Sequence, residues 1–217
     1  MTAHFETFML SCEDRAPARN ATLESLRASG WRSEPLVILD DGVGGSRIER
    51  IHRTWRRVIR SAAAAAADFV LLLEDDVRFG NWFAENLAEW PLLAELPPGG
   101  AFYASLYNPG RPFIRRCEAA RYLVAYPDTV WGAQALLMTP CTARFIDASW
   151  DEAAGNPDQR MPRLAGRVTP IYLHLPSLVD HSPEPTTWGG IPHRAPDFDP
   201  AFRARTYSSG HPAARAP

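Results

Sequence analysis

"FVLLLEDDVRF", residues 69–79, decides how the chain is read. Phe69 to Leu73 is an unbroken apolar run of the length of one strand covered on both faces. It stops at three adjacent carboxylates, Glu74, Asp75 and Asp76. Upstream, "HFETFMLSC" (4–12) alternates and is β-prone. In "EPLVILDDGVGG", Leu36 to Leu39 form a short aliphatic strand that runs into Asp40, Asp41 and glycines. Two helical stretches lie between these strands. "PARNATLESLRASGW" (17–31) spaces Leu23 and Leu26 for one face, with Gly30 where a helix would stop. "SRIERIHRTWRRVIRSAAAAAA" (46–67) places Ile48, Ile51, Trp55, Val58 and Ile59 on one face, then continues into alanines of high helix propensity. The order β-α-β-α-β predicts an α/β fold with a mostly parallel twisted sheet flanked by helices. Ligands of such sheets sit at the carboxyl ends of the strands. Asp40–Asp41 and Glu74–Asp75–Asp76 are therefore expected to open onto one crevice.

Further along, "NWFAENLAEWPLLAEL" (81–96) reads as a helix broken or ended near Pro91. "GAFYASLY" (100–107), "RYLVAY" (121–126) and "WGAQALLMT" (131–139) read as strands, and "NPGRPF" (108–113) as a turn. "PCTARFIDASW" (140–150) is helix-like, and "DEAAGNPDQRMPRLAG" (151–166) is a polar loop leading into a short helix. "VTPIYLHLPSLVDH" (168–181) is the final strand, ending at Asp180–His181.

The chain of 217 residues, 46% hydrophobic, suffices for one sizeable core. A formal charge of −2 disfavours nucleic acid as main partner. All 23 basic residues are Arg, which excludes Schiff-base or phosphate-binding chemistry by lysine. Cys12, Cys117 and Cys141 are far apart and suggest neither a zinc site nor a disulfide framework. The first residues lack signal-peptide features, and the longest apolar stretch is too short to span a bilayer, so no transmembrane segment and a cytoplasmic location are expected.

Three adjacent carboxylates repel one another, and a partly desolvated crevice keeps them ionised only with a counter-cation. A divalent metal is the economical answer, and oxygen ligands suit Mg²⁺ or Mn²⁺. On a strand, Glu74 and Asp76 would point to one face and Asp75 to the other. Such a pair would hold a metal against a diphosphate. An acid cluster ending a strand is otherwise a solvated turn or a helix cap.

"LLLEDDVRF" resembles the DxD-type motif of GT-A fold glycosyltransferases in its LEDDV form, that of the lipooligosaccharide and collagen galactosyltransferases and of related N-acetylglucosaminyltransferases. Other segments are similar to GT-A elements in the expected order: "FMLSCEDRAPARNATLESLRASGW", "VILDDG", "WGAQALLMTP" and "LPSLVDHSP", and the resemblance as a whole runs from about Phe5 to Trp188. The resemblance implies one GT-A-like domain over 1–192, and 193–217, rich in Pro and Arg, is expected to be a loosely ordered tail. It also implies a nucleotide-sugar donor, a UDP-sugar first, with Mn²⁺ or Mg²⁺, and a glycan or small-molecule acceptor. Asp76 and His181 would be the metal ligands. Glu74 would reach the donor ribose or the metal through water, and Asp75 would set the site. Asp40 or Asp41 would accept from base or ribose, although Asp-Gly is also strong turn chemistry. Arg15 would approach uracil or phosphate, Gln134 with Gly132 the sugar, and Trp131 would stack on a sugar or pack internally. An inverting transfer would need a general base from the polar loop, Asp151, Glu152 or Asp158, of which Asp158 is preferred, the competing reading of Asp158 being a helix N-cap. His174 is expected to be structural, and His52 and His193 carry no signal. "SPEPTTWGG" departs from the family's glycine and serines after the late His. Two further classes compete: a metal-dependent phosphoester hydrolase, for which the sequence shows neither a DxDxT motif nor a second acid cluster of the kind that bridges two metals, and a non-catalytic nucleotide- or glycan-binding protein of the same fold.

Overall fold

The computed structural model describes residues 3–182 and 193–207. In chain order, β1 (Phe5–Ser11) leads through a 3₁₀ turn (Glu13–Arg15) into α1 (Ala16–Ala28), then β2 (Leu36–Leu39), α2 (Arg47–Ala64), β3 (Phe69–Leu73) and β4 (Val77–Phe79). α3 (Phe83–Ala88), α4 (Pro91–Ala94), β5 (Tyr103–Ser105), β6 (Phe113–Cys117), β7 (Tyr122–Ala125) and β8 (Ala135–Met138) follow. α5 (Pro140–Ala148), α6 (Pro157–Ala165), β9 (Ile171–His174), β10 (Val179–His181) and α7 (Ala204–Tyr207) complete the described chain.

Eight strands form one sheet in the order β2-β1-β3-β8-β5-β9-β7-β6. β1 pairs in parallel with both β2 and β3, and β5 with β9, while the pairings of β8 and of β7 are antiparallel. Six strands thus run one way, with β8 and β7 against them. The predicted α/β sheet is present, mostly parallel in strand direction and mixed in its ladders.

β3 explains the layering. All five residues are buried, and they alternate between two cores: Val70 and Leu72 pack with Trp55, Val58 and Ile59 of α2 and Ile146 of α5. Phe69, Leu71 and Leu73 pack with Leu26 of α1 and Phe83 and Leu87 of α3. α2 begins with a capping box, in which Ser46 Oγ accepts from the Glu49 amide and the Glu49 carboxylate accepts from the Ser46 amide. Its buried face differs from the expected one at Ile48, which is exposed. The helix ends at Ala64, short of the last alanines.

Two expectations about strands fail. The stretch 168–181 is not one strand: β9 belongs to the main sheet, and after a cis Leu175–Pro176 bond β10 pairs antiparallel with β4 in a separate two-stranded sheet. β4 begins directly after the acids, so Glu74, Asp75 and Asp76 lie on the connector between β3 and β4 and not on a strand. Their expected alternation between faces does not apply. The stretch 108–113 is a turn only up to its last residue, where Phe113 opens the edge strand β6.

Residues 193–207, expected within a loosely ordered tail, are packed against the body. Ala195 and Phe202 are buried in the α1/α3 core. Asn86 Nδ2 donates to the Phe202 carbonyl at 2.8 Å, and Asn86 Oδ1 accepts from the Ala204 amide at 2.8 Å. Sequence periodicity cannot reveal such anchoring, because the segment has almost no regular structure of its own. Residues 183–192, with most of "SPEPTTWGG", and 208–217 lie outside the described residues.

Phe202→Ala removes a buried aromatic ring at this anchor and is expected to cost about 3–5 kcal/mol in urea unfolding; an unchanged midpoint would contradict the packing of the segment.

Candidate functional site

The sheet topology brings the functional side chains to one edge. β1, β2 and β3 are parallel, so the residues after them, from Cys12, Asp40 and Glu74 onward, emerge together. β8 runs opposite to β3, so the residues before it, Trp131 to Gln134, arrive at the same edge, and the Glu74 amide donates to the Gln134 carbonyl at 3.1 Å. There a cavity of about 920 Å³ is lined by Arg15, Asp40, Asp41, Glu74, Asp75, Asp76, Gln134, Asp158 and His181, among others. These are all nine site candidates read from the sequence. Its described wall carries eight carboxylates (Glu13, Asp14, Asp40, Asp41, Glu74, Asp75, Asp76, Asp158) against three guanidinium groups (Arg15, Arg47, Arg50). Such a surface repels a nucleotide anion unless a cation accompanies it.

The acid triplet is held individually. Asp75 accepts from Ser11 Oγ at 2.6 Å and Arg15 Nε at 2.7 Å. Thr22 Oγ donates to the Asp75 carbonyl at 2.9 Å and accepts from the Val77 amide at 3.0 Å, which fixes the connector. Asp76 Oδ2 accepts from Arg15 Nη2 at 2.8 Å, while Asp76 Oδ1 is buried with no hydrogen-bond partner. Burial pushes the Asp76 carboxyl above its ordinary value, against the pull of His181 and Arg15. Glu74 is half-buried in the crevice and accepts from Gln134 Nε2 at 3.3 Å. Burial, then the charges of Asp76, Asp158 and Asp75, hold its carboxyl well above the usual carboxylate range.

His181 enters from the far side. The pairing of β10 with β4 sets His181 opposite Val77, next to Asp76, and the Ser182 amide donates to the Asp76 carbonyl at 2.8 Å. Its Nδ1 lies 2.7 Å from the Ser182 carbonyl. A carbonyl only accepts, so Nδ1 carries the hydrogen, and a ring without a second proton would present a bare Nε2. That Nε2 stands 3.5 Å from Asp76 Oδ2. In that form two acceptors would face each other, beside a buried carboxylate oxygen with no hydrogen-bond partner among the described residues, an arrangement that fits a shared cation. The imidazole–carboxylate donor set suits Mn²⁺ better than Mg²⁺. Among the described residues no group of three His, Cys, Asp or Glu side chains converges, so the remaining coordination would fall to substrate phosphate and water.

Asp40 and Asp41 form the turn that Asp-Gly favours, accepting from the Gly42 and Val43 amides at 3.1 and 3.0 Å. Asp40 also pairs with Arg50 at 3.2 Å. Asp158 is not an N-cap: Asn156 holds that place, and Asp158 stands in the first turn of α6 with Oδ2 accepting from the Gly132 amide at 3.1 Å. Gln134 Oε1 is buried and unpartnered. His174 is structural, edge-on to Trp90 and kept neutral by burial that pulls its pKa to about 3. His193, without a sequence signal, lines the cavity, its ring 5.0 Å from Trp131 and its carbonyl bonded by Tyr107 Oη. Arg15, expected to approach uracil or phosphate, sits on the acids themselves.

No protein-family model and no curated protein matches the chain. Similar solved structures include a glycosyltransferase involved in glycosylation of the major capsid of PBCV-1, at 12% identity and TM-score 0.44 over 79% of this chain and 82% of that one. Others are 4-diphosphocytidyl-2C-methyl-D-erythritol synthase, at 16% and 0.38 over 78% and 89%, and the inositol-1-phosphate CTP transferase from T. maritima, at 11% and 0.40 over 94% and 75%. Likeness this distant decides neither family nor activity, and the chemistry has to come from the side chains.

Because the fold holds Glu74 protonated more firmly than the unfolded chain does, Glu74's own contribution to stability is full below the ordinary Glu value of 4.5 and is lost as pH climbs through its raised value. Glu74→Gln is neutral at every pH. It should unfold at higher urea than the wild type at pH 8, with the gap closing by about pH 4; a wild type more stable at pH 8 would show that Glu74 is not strained.

Proposed function

We propose that the chain is a metal-dependent glycosyltransferase of the GT-A type, moving a sugar from a nucleotide-diphosphate sugar, a UDP-sugar first, to a hydroxyl of a glycan or small-molecule acceptor. The observation that carries this reading is the facing pair of Asp76 Oδ2 and His181 Nε2, 3.5 Å apart in an acid-rich crevice at the strand ends. The LEDDV resemblance and the strand-end position support it independently.

Asp76 and His181 would hold Mn²⁺ or Mg²⁺, which when bound supplies positive charge to a departing diphosphate. Arg15, Arg47 and Arg50 are the guanidinium groups of the same wall, and phosphate oxygens would draw on them in competition with their present partners. Asp40 and Glu74 accept hydrogen bonds from base or ribose hydroxyls. Gln134 Oε1, buried and without a donor, is placed to accept from a sugar hydroxyl. Trp131, also on the wall, offers a ring face for stacking.

Asp158 is the proposed general base. The Gly132 amide holds its Oδ2, while Oδ1 has no hydrogen-bond partner among the described residues. The acceptor hydroxyl attacks the anomeric carbon, its proton passes to Asp158 Oδ1, and the bond from that carbon to the diphosphate oxygen breaks.

UDP with Mn²⁺, at about a hundred times its dissociation constant, should stabilise the fold by about 2.7 kcal/mol, read as a rise in melting temperature. Asp76→Asn should lose that rise while remaining folded; retained Mn²⁺-dependent stabilisation in this variant counts against the site. Asp158→Asn should keep the rise and slow metal-dependent turnover of the UDP-sugar by about 10²-fold or more; undiminished turnover assigns the base elsewhere.

A further inference from the structure

The crevice proposed to take a cation already contains one. Arg15 donates from Nε to Asp75 Oδ1 and from Nη2 to Asp76 Oδ2, at 2.7 and 2.8 Å. Asp76 Oδ2 is also the oxygen that faces His181 Nε2. One oxygen cannot serve the guanidinium and a dication at full strength. The two ends of the bridge are unequally fixed. Asp75 is held by Ser11 Oγ on its second oxygen and by Thr22 on its carbonyl, whereas Asp76 has an unpartnered Oδ1. A guanidinium that lets go of Asp76 therefore stays tethered to Asp75, on the wall of the cavity.

We propose that Arg15 is an exchangeable counter-ion: it neutralises Asp76 before substrate binds, and pivots on Asp75 to the donor's diphosphate once Asp76 and His181 hold a divalent cation. The proposal rests on the transferase reading and adds an order of binding to it. A dication alone must displace the charge-assisted hydrogen bond from Arg15 to Asp76. A nucleotide diphosphate supplies the replacement partner. Cation and nucleotide then strengthen each other's binding by the same factor.

The test is a Mn²⁺ titration without nucleotide, free Mn²⁺ being followed by electron paramagnetic resonance, on the wild type, Arg15→Gln, Arg15→Lys and Arg19→Gln. Arg15→Gln should bind Mn²⁺ on the order of tenfold to a hundredfold more tightly than the wild type, the worth of one charged hydrogen bond. In saturating Mn²⁺ it should bind UDP roughly tenfold more weakly. Arg15→Lys keeps the charge but cannot bridge both carboxylates, and its Mn²⁺ affinity should fall between the two; it decides the matter if the Gln variant does not fold. The Arg19 guanidinium donates to Ser11 Oγ and the Cys12 carbonyl, not to the acids, so Arg19→Gln should change Mn²⁺ affinity by less than about threefold. Equal Mn²⁺ affinity in the wild type and both Arg15 variants overturns the exchange. Equal tightening by Arg19→Gln overturns it as well, in favour of overall charge. A wild type that binds no UDP with Mn²⁺ overturns the transferase reading instead.

Discussion

Three consecutive carboxylates at the end of a strand buried on both faces have to be balanced where water is scarce, and the rest of the site follows from that constraint. A carboxylate enclosed without a partner charge is among the costlier features a fold can carry. The chain meets the demand from two directions. The 3₁₀ turn directly after β1 delivers Arg15 onto Asp75 and Asp76. The small sheet of β4 and β10 delivers His181 against the other side of Asp76. Glu74 receives neither and keeps its proton more readily than an ordinary carboxyl.

Much of this was legible in the sequence. The apolar run 69–73 and the helix of residues 47–64 carry periodicities that burial dictates directly, so the strand, the helix and the layering could be read without coordinates. The convergence of Asp40, Glu74 and Asp76 followed from strand direction alone. That Gln134 and Asp158 line the same cavity was reached by resemblance, since nothing in their local pattern points there. What escaped depends on pairings distant in the chain. β4 and β10 are three residues each, too short for a periodicity, and only their mutual hydrogen bonds define them. The role of Arg15 was missed because a counter-ion for the acids was sought outside the chain, while a guanidinium some sixty positions upstream supplied it.

The balance of charge in the crevice also separates what holds the fold together from what the site is built to do. Eight carboxylates and three guanidinium groups around one cavity are a poor arrangement for a resting protein and a sensible one for a protein that meets its anionic substrate with a metal. Two buried acceptors of the cavity residues that lack donors among the described residues, Asp76 Oδ1 and Gln134 Oε1, belong to the same pattern. Both belong to residues of the cavity wall.

The short sheet of β4 and β10 has a consequence for how the molecule is made. The acids leave the ribosome early, with the first three strands, whereas His181 comes more than a hundred residues later. β10 is buttressed later still, by the Ala195 amide and Arg194 on Asp180. A nascent chain can therefore assemble β1, β2 and β3 with Arg15 seated on the acids long before the opposite wall exists. Completion of the pocket waits on residues 179–195, and a chain interrupted just before them would lack the site while holding every strand of the main sheet.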